Sequence, residues 1–141
     1  MPAILAVAIT GCGGTAHKQS DQQVITQTLR SYLRAQSAGD GQTACALLTA
    51  DAQNQLITLV VKGSNGLIKT RPSCEDAVGL VRAVAGQQLI GALNSAQISS
   101  VHVSGTHGSA EVIVDAQPAQ SVSLVKSGGT WRIAGVPGLS G

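Results

Sequence analysis

The chain has 141 residues, 43% of them hydrophobic, and 9 Lys or Arg against 7 Asp or Glu give a formal charge of +2. Length and apolar content fit one globular domain with a normal core and exclude a disordered chain. Only 11% of residues are charged, the basic ones are scattered, and the aromatics are Tyr32 and Trp131 alone; this excludes both the clustered cations of a nucleic-acid face and the stacking platforms for single strands.

At the N-terminus the apolar run Ile4-Leu5-Ala6-Val7-Ala8 leads into Ile9-Thr10-Gly11-Cys12 and then Gly13-Gly14. Small or hydroxylic residues and a Cys closing an apolar run form the pattern of a bacterial lipoprotein signal. The expectation is a signal segment over residues 1–11, a diacylglycerol on Cys12, and a flexible polar tether over residues 12–20. A secretory signal usually opens with Lys or Arg, and none precedes Cys12. Either translation starts upstream of Met1 or the segment is an ordinary apolar terminus. The lipoprotein reading puts the protein outside the cytoplasm, lipid-anchored to the cell membrane. No apolar stretch reaches the length of a transmembrane helix.

Cysteine arithmetic agrees with that compartment. Of Cys12, Cys45 and Cys74, lipidation of the first leaves an even pair, expected to form a disulfide in oxidising surroundings. Such a bond closes a loop of about 30 residues and stabilises by roughly 3–4 kcal/mol. Two buried free thiols in a cytosolic protein are the alternative. No C-x-x-C occurs and the three His lie away from the Cys positions, so neither a metal site nor a cofactor is expected.

Next come the helices. Val24, Ile25, Leu29, Tyr32 and Leu33 recur at helical spacing and predict a helix over Asp21–Ala38, capped by Ser20 or Asp21 and ended by Gly39-Asp40-Gly41. A shorter helix follows through Ala44, Cys45, Leu47 and Leu48. Thr49 or Asp51 caps a third, whose stripe is Ala52, Leu56, Leu59 and Val60, broken by Gly63-Ser64-Asn65-Gly66. Residues 63–72 read as a loop, or as a loop holding one short strand over Gly66–Thr70. Ser73, with Asp76 in a variant capping box, opens a helix whose stripe runs through Ala77, Val78, Val81, Ala85, Leu89 and Leu93.

After Asn94 the period changes from 3.6 to 2. Gln97–Ser104, Ser109–Asp115, Ser121–Lys126 and Thr130–Val136 read as strands. Gly105-Thr106-His107-Gly108, Gln117-Pro118-Ala119 and Ser127-Gly128-Gly129 read as the turns of an antiparallel meander. Val101, Val103, Ala110, Val112, Val114, Val122, Leu124, Trp131 and Ile133 should form a packed face; Ser100, His102, Glu111, Ser121, Ser123 and Arg132 a wet one. Helices first and strands after is the α+β order. The expected fold is therefore α+β, with N-terminal helices packed on one face of a curved antiparallel C-terminal sheet. It forms a single domain over residues 21–137, followed by a tail over 138–141.

The run YLRAQSAGDGQTACALLTADAQNQL, the later Cys74-Glu75-Asp76 helix and the closing VSLVKSGGTWRIAGV resemble the small extracytoplasmic lipoproteins of the nuclear-transport-factor-2-like superfamily of actinobacteria. Gly39-Asp40 after the first helix and Gly129-x-Trp131-x-Ile133 in the last strand carry most of the likeness. The resemblance implies a cone-shaped α+β fold that hosts isomerases, dehydratases, polyketide cyclases and members without known activity, so it implies little about function.

Enzymes of that superfamily resemble one another in placing an Asp or His base inside the cone, often with a Tyr. The weak candidates here are Tyr32, Asp40, His102 and Asp115. His102 falls on the wet face, Asp40 sits in a turn where Asp bonds local backbone, Asp115 ends a strand, and Tyr32 lies on an apolar stripe where one hydrogen bond is expected. Lys62, Lys69 and Arg71 flank the loop inside the expected disulfide and read as solvated cations, contact with anionic lipid headgroups being the alternative. No Ser-His-Asp order, phosphate loop or HExxH motif occurs. The leading expectation is a non-catalytic envelope lipoprotein binding a small apolar ligand or a protein partner. A structural accessory subunit ranks second, and a cyclase- or isomerase-like enzyme using a buried Asp or His ranks third.

Overall fold

A computed structural model of the chain describes residues 19–136. The signal segment, Cys12, most of the tether and the tail lie outside them. The fold is α+β. Among the described residues, five helices precede a four-stranded antiparallel sheet: α1 (Asp21–Ala38), α2 (Gly41–Ala46), α3 (Ala50–Gly63), α4 (Cys74–Val84), α5 (Gln87–Asn94), β1 (Gln97–Ser104), β2 (His107–Ile113), β3 (Gln120–Ser127) and β4 (Thr130–Ile133).

Local chemistry sets the helix starts. The Ser20 hydroxyl accepts from Gln23 N while the Gln23 side chain accepts from Ser20 N, a complete capping box. Asp40, Thr49 and Ser73 cap α2, α3 and α4 by one bond each, accepting from Thr43 N, Ala52 N and Asp76 N, without the reciprocal bond of a capping box. Gly39 closes α1 in a left-handed conformation.

The sequence predicts one helix from Ser73 through Leu93; the chain instead breaks at Ala85 and Gly86 into α4 and α5. Ala85 is extended and its N–H closes α4 on Val81 O. The apolar stripe continues across the break, so periodicity alone gives no sign of it. Gly66–Thr70 forms turn and loop with no strand.

The strands run in the order β1-β2-β3-β4. The β1–β2 hairpin turns on Gly105 and Thr106 alone, because His107 and Gly108 pair with Ser104 and Val103, two residues earlier than the expected strand. Gly108 belongs in the strand for a steric reason: a Cβ there would lie 2.5 Å from Ile25 Cδ1 and 3.2 Å from Trp131 Cζ3. At the far end β2 stops at Ile113 rather than Asp115, and β4 at Ile133 rather than Val136. Past β4 the chain bends at Ala134 and Gly135, whose N–H groups both donate to Ser123 O.

The register slips between Ser99 and His102, and Ser100 takes φ 51°. This β-bulge reconciles Ile98 with Val101 and Val103, which differ in parity yet all pack against the core. It also curves the sheet. The packed face is otherwise as predicted: Ala110, Val112, Val122, Leu124, Trp131 and Ile133 are buried, with Val101, Val103 and Val114 half-buried.

The helices cover this face. α1 lies against β1, β2 and β4, and α5 lies against α1. α4 packs on α1, α2 and α3. Cys45 of α2 and Cys74 at the start of α4 form a disulfide, with Cα atoms 6.1 Å apart. Beside it the two helices approach so closely that a Cβ on Gly41 would meet the Glu75 Cα and carbonyl oxygen at 2.7 Å. Leu48 bridges Ile133 in parallel, with Ile133 N bonded to Leu47 O and Thr49 N to Ile133 O, so the segment after α2 covers the β4 edge.

Candidate functional site

The two ends of this helix-on-sheet sandwich differ. At the end holding the β1–β2 and β3–β4 turns, Ile25 and Leu29 of α1 meet Trp131, Leu124 and Ala110, all buried. Asp21, in the first turn of α1, reaches across: its Oδ1 accepts from Trp131 Nε1 and Lys126 Nζ, each at 2.9 Å. Lys126 Nζ also stands 5.8 Å from the Trp131 ring centroid. This end is filled.

At the other end the helices and the sheet line a cavity of about 430 Å³, within the range of roughly 300–1,000 Å³ typical of small-molecule sites. Tyr32, Leu33 and Gln36 of α1 form one wall, and Leu56, Leu59 and Val60 of α3 another. Val81 of α4 and Leu89 and Leu93 of α5 continue it, and Val114, Gln120 and Val136 close it from the sheet side. Leu89, Gln117 and Pro118 are exposed at the rim. No Lys, Arg, His, Asp or Glu lines the cavity among the described residues.

α5 is the loosest wall. It has no buried residue and no side-chain N-cap bond, and Leu89, which faces the cavity, is 44% exposed.

The polar feature of the inner wall is Tyr32, 3% exposed, with Gln36 one helical turn on, 6% exposed. Gln36 Nε2 donates to Tyr32 Oη at 2.8 Å. Burial, only partly offset by this bond, pushes the phenol pKa up to about 12, so Tyr32 stays protonated at any physiological pH.

Of the four catalytic candidates, Tyr32 alone enters this cavity. Asp40 is exposed and caps α2; hydrogen bonds from the Thr43 hydroxyl and the Thr43 N–H hold its carboxyl below the ordinary value. His102 lies exposed on the outer face of the sheet. Asp115 sits exposed in the loop after β2 at φ 57°, beside a shallow depression next to the cavity rim. The four are therefore spread over four places, and no carboxylate–imidazole pair forms. Lys62, Lys69 and Arg71 are exposed, Arg71 bonding Asn54 Oδ1.

Sequence reasoning missed Gln36. A glutamine next to an apolar stripe reads as surface, and only its spacing of four from Tyr32, which puts both on one helix face, gives a sign of the pair. No group of His, Cys, Asp and Glu suited to a metal occurs among the described residues, and none of the described helices is long and apolar enough to cross a membrane. No protein-family model, curated protein or solved structure matches the chain.

Proposed function

We propose that this protein is a non-catalytic extracytoplasmic lipoprotein, held at the cell envelope through Cys12, whose cavity takes up a small apolar ligand. The observation that carries this reading is the apolar cavity itself, built from four helices and the sheet, with no acidic, basic or imidazole side chain in its lining among the described residues. General acid–base chemistry needs a group whose pKa lies near the working pH, and the ionisable residue in the wall, Tyr32, stands at about 12. Apolar walls with a few placed polar groups suit retention of a ligand.

The Cys45–Cys74 bond supports an oxidising compartment. It also takes up the two cysteines other than Cys12, which leaves that thiol available for a lipid. Intact mass of protein recovered from the membrane fraction without reductant is expected to show acyl groups on a chain starting at Cys12 and two hydrogens missing.

Ligand uptake is tested with pyrene, a neutral hydrocarbon whose emission bands respond to the polarity around it. Saturable binding of one pyrene per chain, with an apolar band ratio, is the expected result. A linear, non-saturating response would sink the reading.

A further inference from the structure

We infer that the ligand carries one uncharged oxygen group, an alcohol or carbonyl on an apolar body, and that Tyr32 and Gln36 recognise it. This rests on the reading of the cavity as a ligand site and names the chemistry of its occupant.

The argument starts from hydrogen-bond capacity. A phenol offers one O–H donor and two lone pairs; a primary amide offers two N–H donors and a carbonyl acceptor. Between Tyr32 and Gln36 one bond is made, from Gln36 Nε2 to Tyr32 Oη. That bond occupies a lone pair of the phenol and leaves its O–H proton unused. No second side-chain bond of this pair occurs among the described residues, and since no enclosed side-chain polar atom there lacks a partner, the unbonded Gln36 Oε1 is open to the cavity that the residue lines. Both side chains are more than nine-tenths buried and both line the cavity. Buried polar groups in folded proteins are nearly always paired. A donor and an acceptor side by side in an apolar wall therefore mark where a ligand's polar group fits.

The remainder of the wall selects the charge of that group. With no Lys, Arg, His, Asp or Glu in the lining, a carboxylate, phosphate or ammonium would be buried without a counter-charge, which is strongly unfavourable. An uncharged oxygen meets no such penalty. A ketone or ester carbonyl accepts from the Tyr32 O–H; an alcohol accepts there and donates to Gln36 Oε1. The apolar body then lies against Leu59, Val60, Leu93 and Val114. The raised phenol pKa fits this role, since it keeps the donor proton in place.

The test displaces pyrene from the full chain at pH 8 with three ten-carbon competitors: 1-decanol, 2-decanone and decanoate. Decanol and decanone are expected to compete, and decanoate at least about 30-fold more weakly, because its charge has no partner in the site. Tyr32→Phe should weaken decanol and decanone about 3- to 10-fold relative to pyrene, the usual effect of one neutral hydrogen bond; the ratio of the affinities reads that bond, because pyrene makes none. Gln36→Met is the second variant. It should weaken decanol by a similar factor, and it serves alone if Tyr32→Phe does not fold.

Decanoate competing as well as decanol overturns the inference while leaving the cavity a ligand site, as does decanol binding that neither variant alters. Failure of pyrene to bind the wild-type chain overturns the underlying reading and the inference with it.

Discussion

The filled and hollow ends of the molecule are built from the same helix. α1 sends Ile25 and Leu29 into a close-packed end and, one to three turns later, Tyr32, Leu33 and Gln36 into the wall of a cavity. What differs is the size of the groups that meet them. Trp131 fills the first end, and its ring is pinned by Asp21 at the start of α1. The second end receives Val, Leu and Pro from α3, α4, α5 and the sheet, and the chain has no Phe to span the gap. A cavity arises where converging elements carry side chains too small to meet, while close packing holds the rest of the domain together. Stability should therefore reside at one end and binding at the other.

Substitutions sharpen this contrast. Trp131→Ala should cost the most, about 3–5 kcal/mol, because it opens a void in a full region and leaves Asp21 without its indole donor; denaturant unfolding measures it. A change within noise would mean that the packed end does not carry the stability.

Replacing Cys45 and Cys74 together by Ser should cost roughly 3–4 kcal/mol through the loop that the bond closes. Because the bond ties α2 to α4, which contributes Val81 to the cavity wall, pyrene affinity should fall as well. Trp131→Ala at a temperature where it stays folded should leave pyrene affinity nearly unaltered.

Tyr32 gives the hollow end its own pH signature. Its folded pKa of about 12 lies above the unfolded value of about 10, so its contribution is fully present below pH 10. Between pH 10 and 12 the unfolded chain ionises first and stability falls, by about 3 kcal/mol over the two units. Tyr32→Phe should lack this fall. Tyr32 is the protein's only tyrosine, so absorbance at the phenolate band reads its titration directly; a midpoint near 10 would show that the phenol is not buried.

Leu93→Ala should have the smallest effect on unfolding, about 1 kcal/mol or less, since Leu93 is half-buried and already borders open space. Its effect on pyrene binding should be the larger of the two.

Much of the filled end can be read from the residues. The α1 stripe, the Ser20 cap, the alternation of β2 and β3 and the place of Trp131 all follow from periodicity and local hydrogen bonding. The disulfide follows from an odd cysteine count. The hollow end is harder to read. Leu59, Val60, Val81, Leu89 and Leu93 are visibly apolar, yet nothing in their order says that the space between them stays open. The break at Ala85-Gly86 is hidden because the stripe Val81, Ala85, Leu89 runs straight through it. The bulge at Ser100 is hinted at by the parity conflict between Ile98 and Val101, but alternation alone allows either residue to face outward. Gln36 looks like a surface residue until α1 is placed on the sheet.

The most direct test fills the cavity. Val60→Phe adds a ring where the account puts empty space, so the melting temperature should hold or rise while pyrene binding is lost. Val122→Phe, a comparable enlargement on the buried sheet face, should instead destabilise by about 1–3 kcal/mol through overpacking. If Val60→Phe destabilises as much as Val122→Phe and pyrene still binds, the two ends do not differ as described.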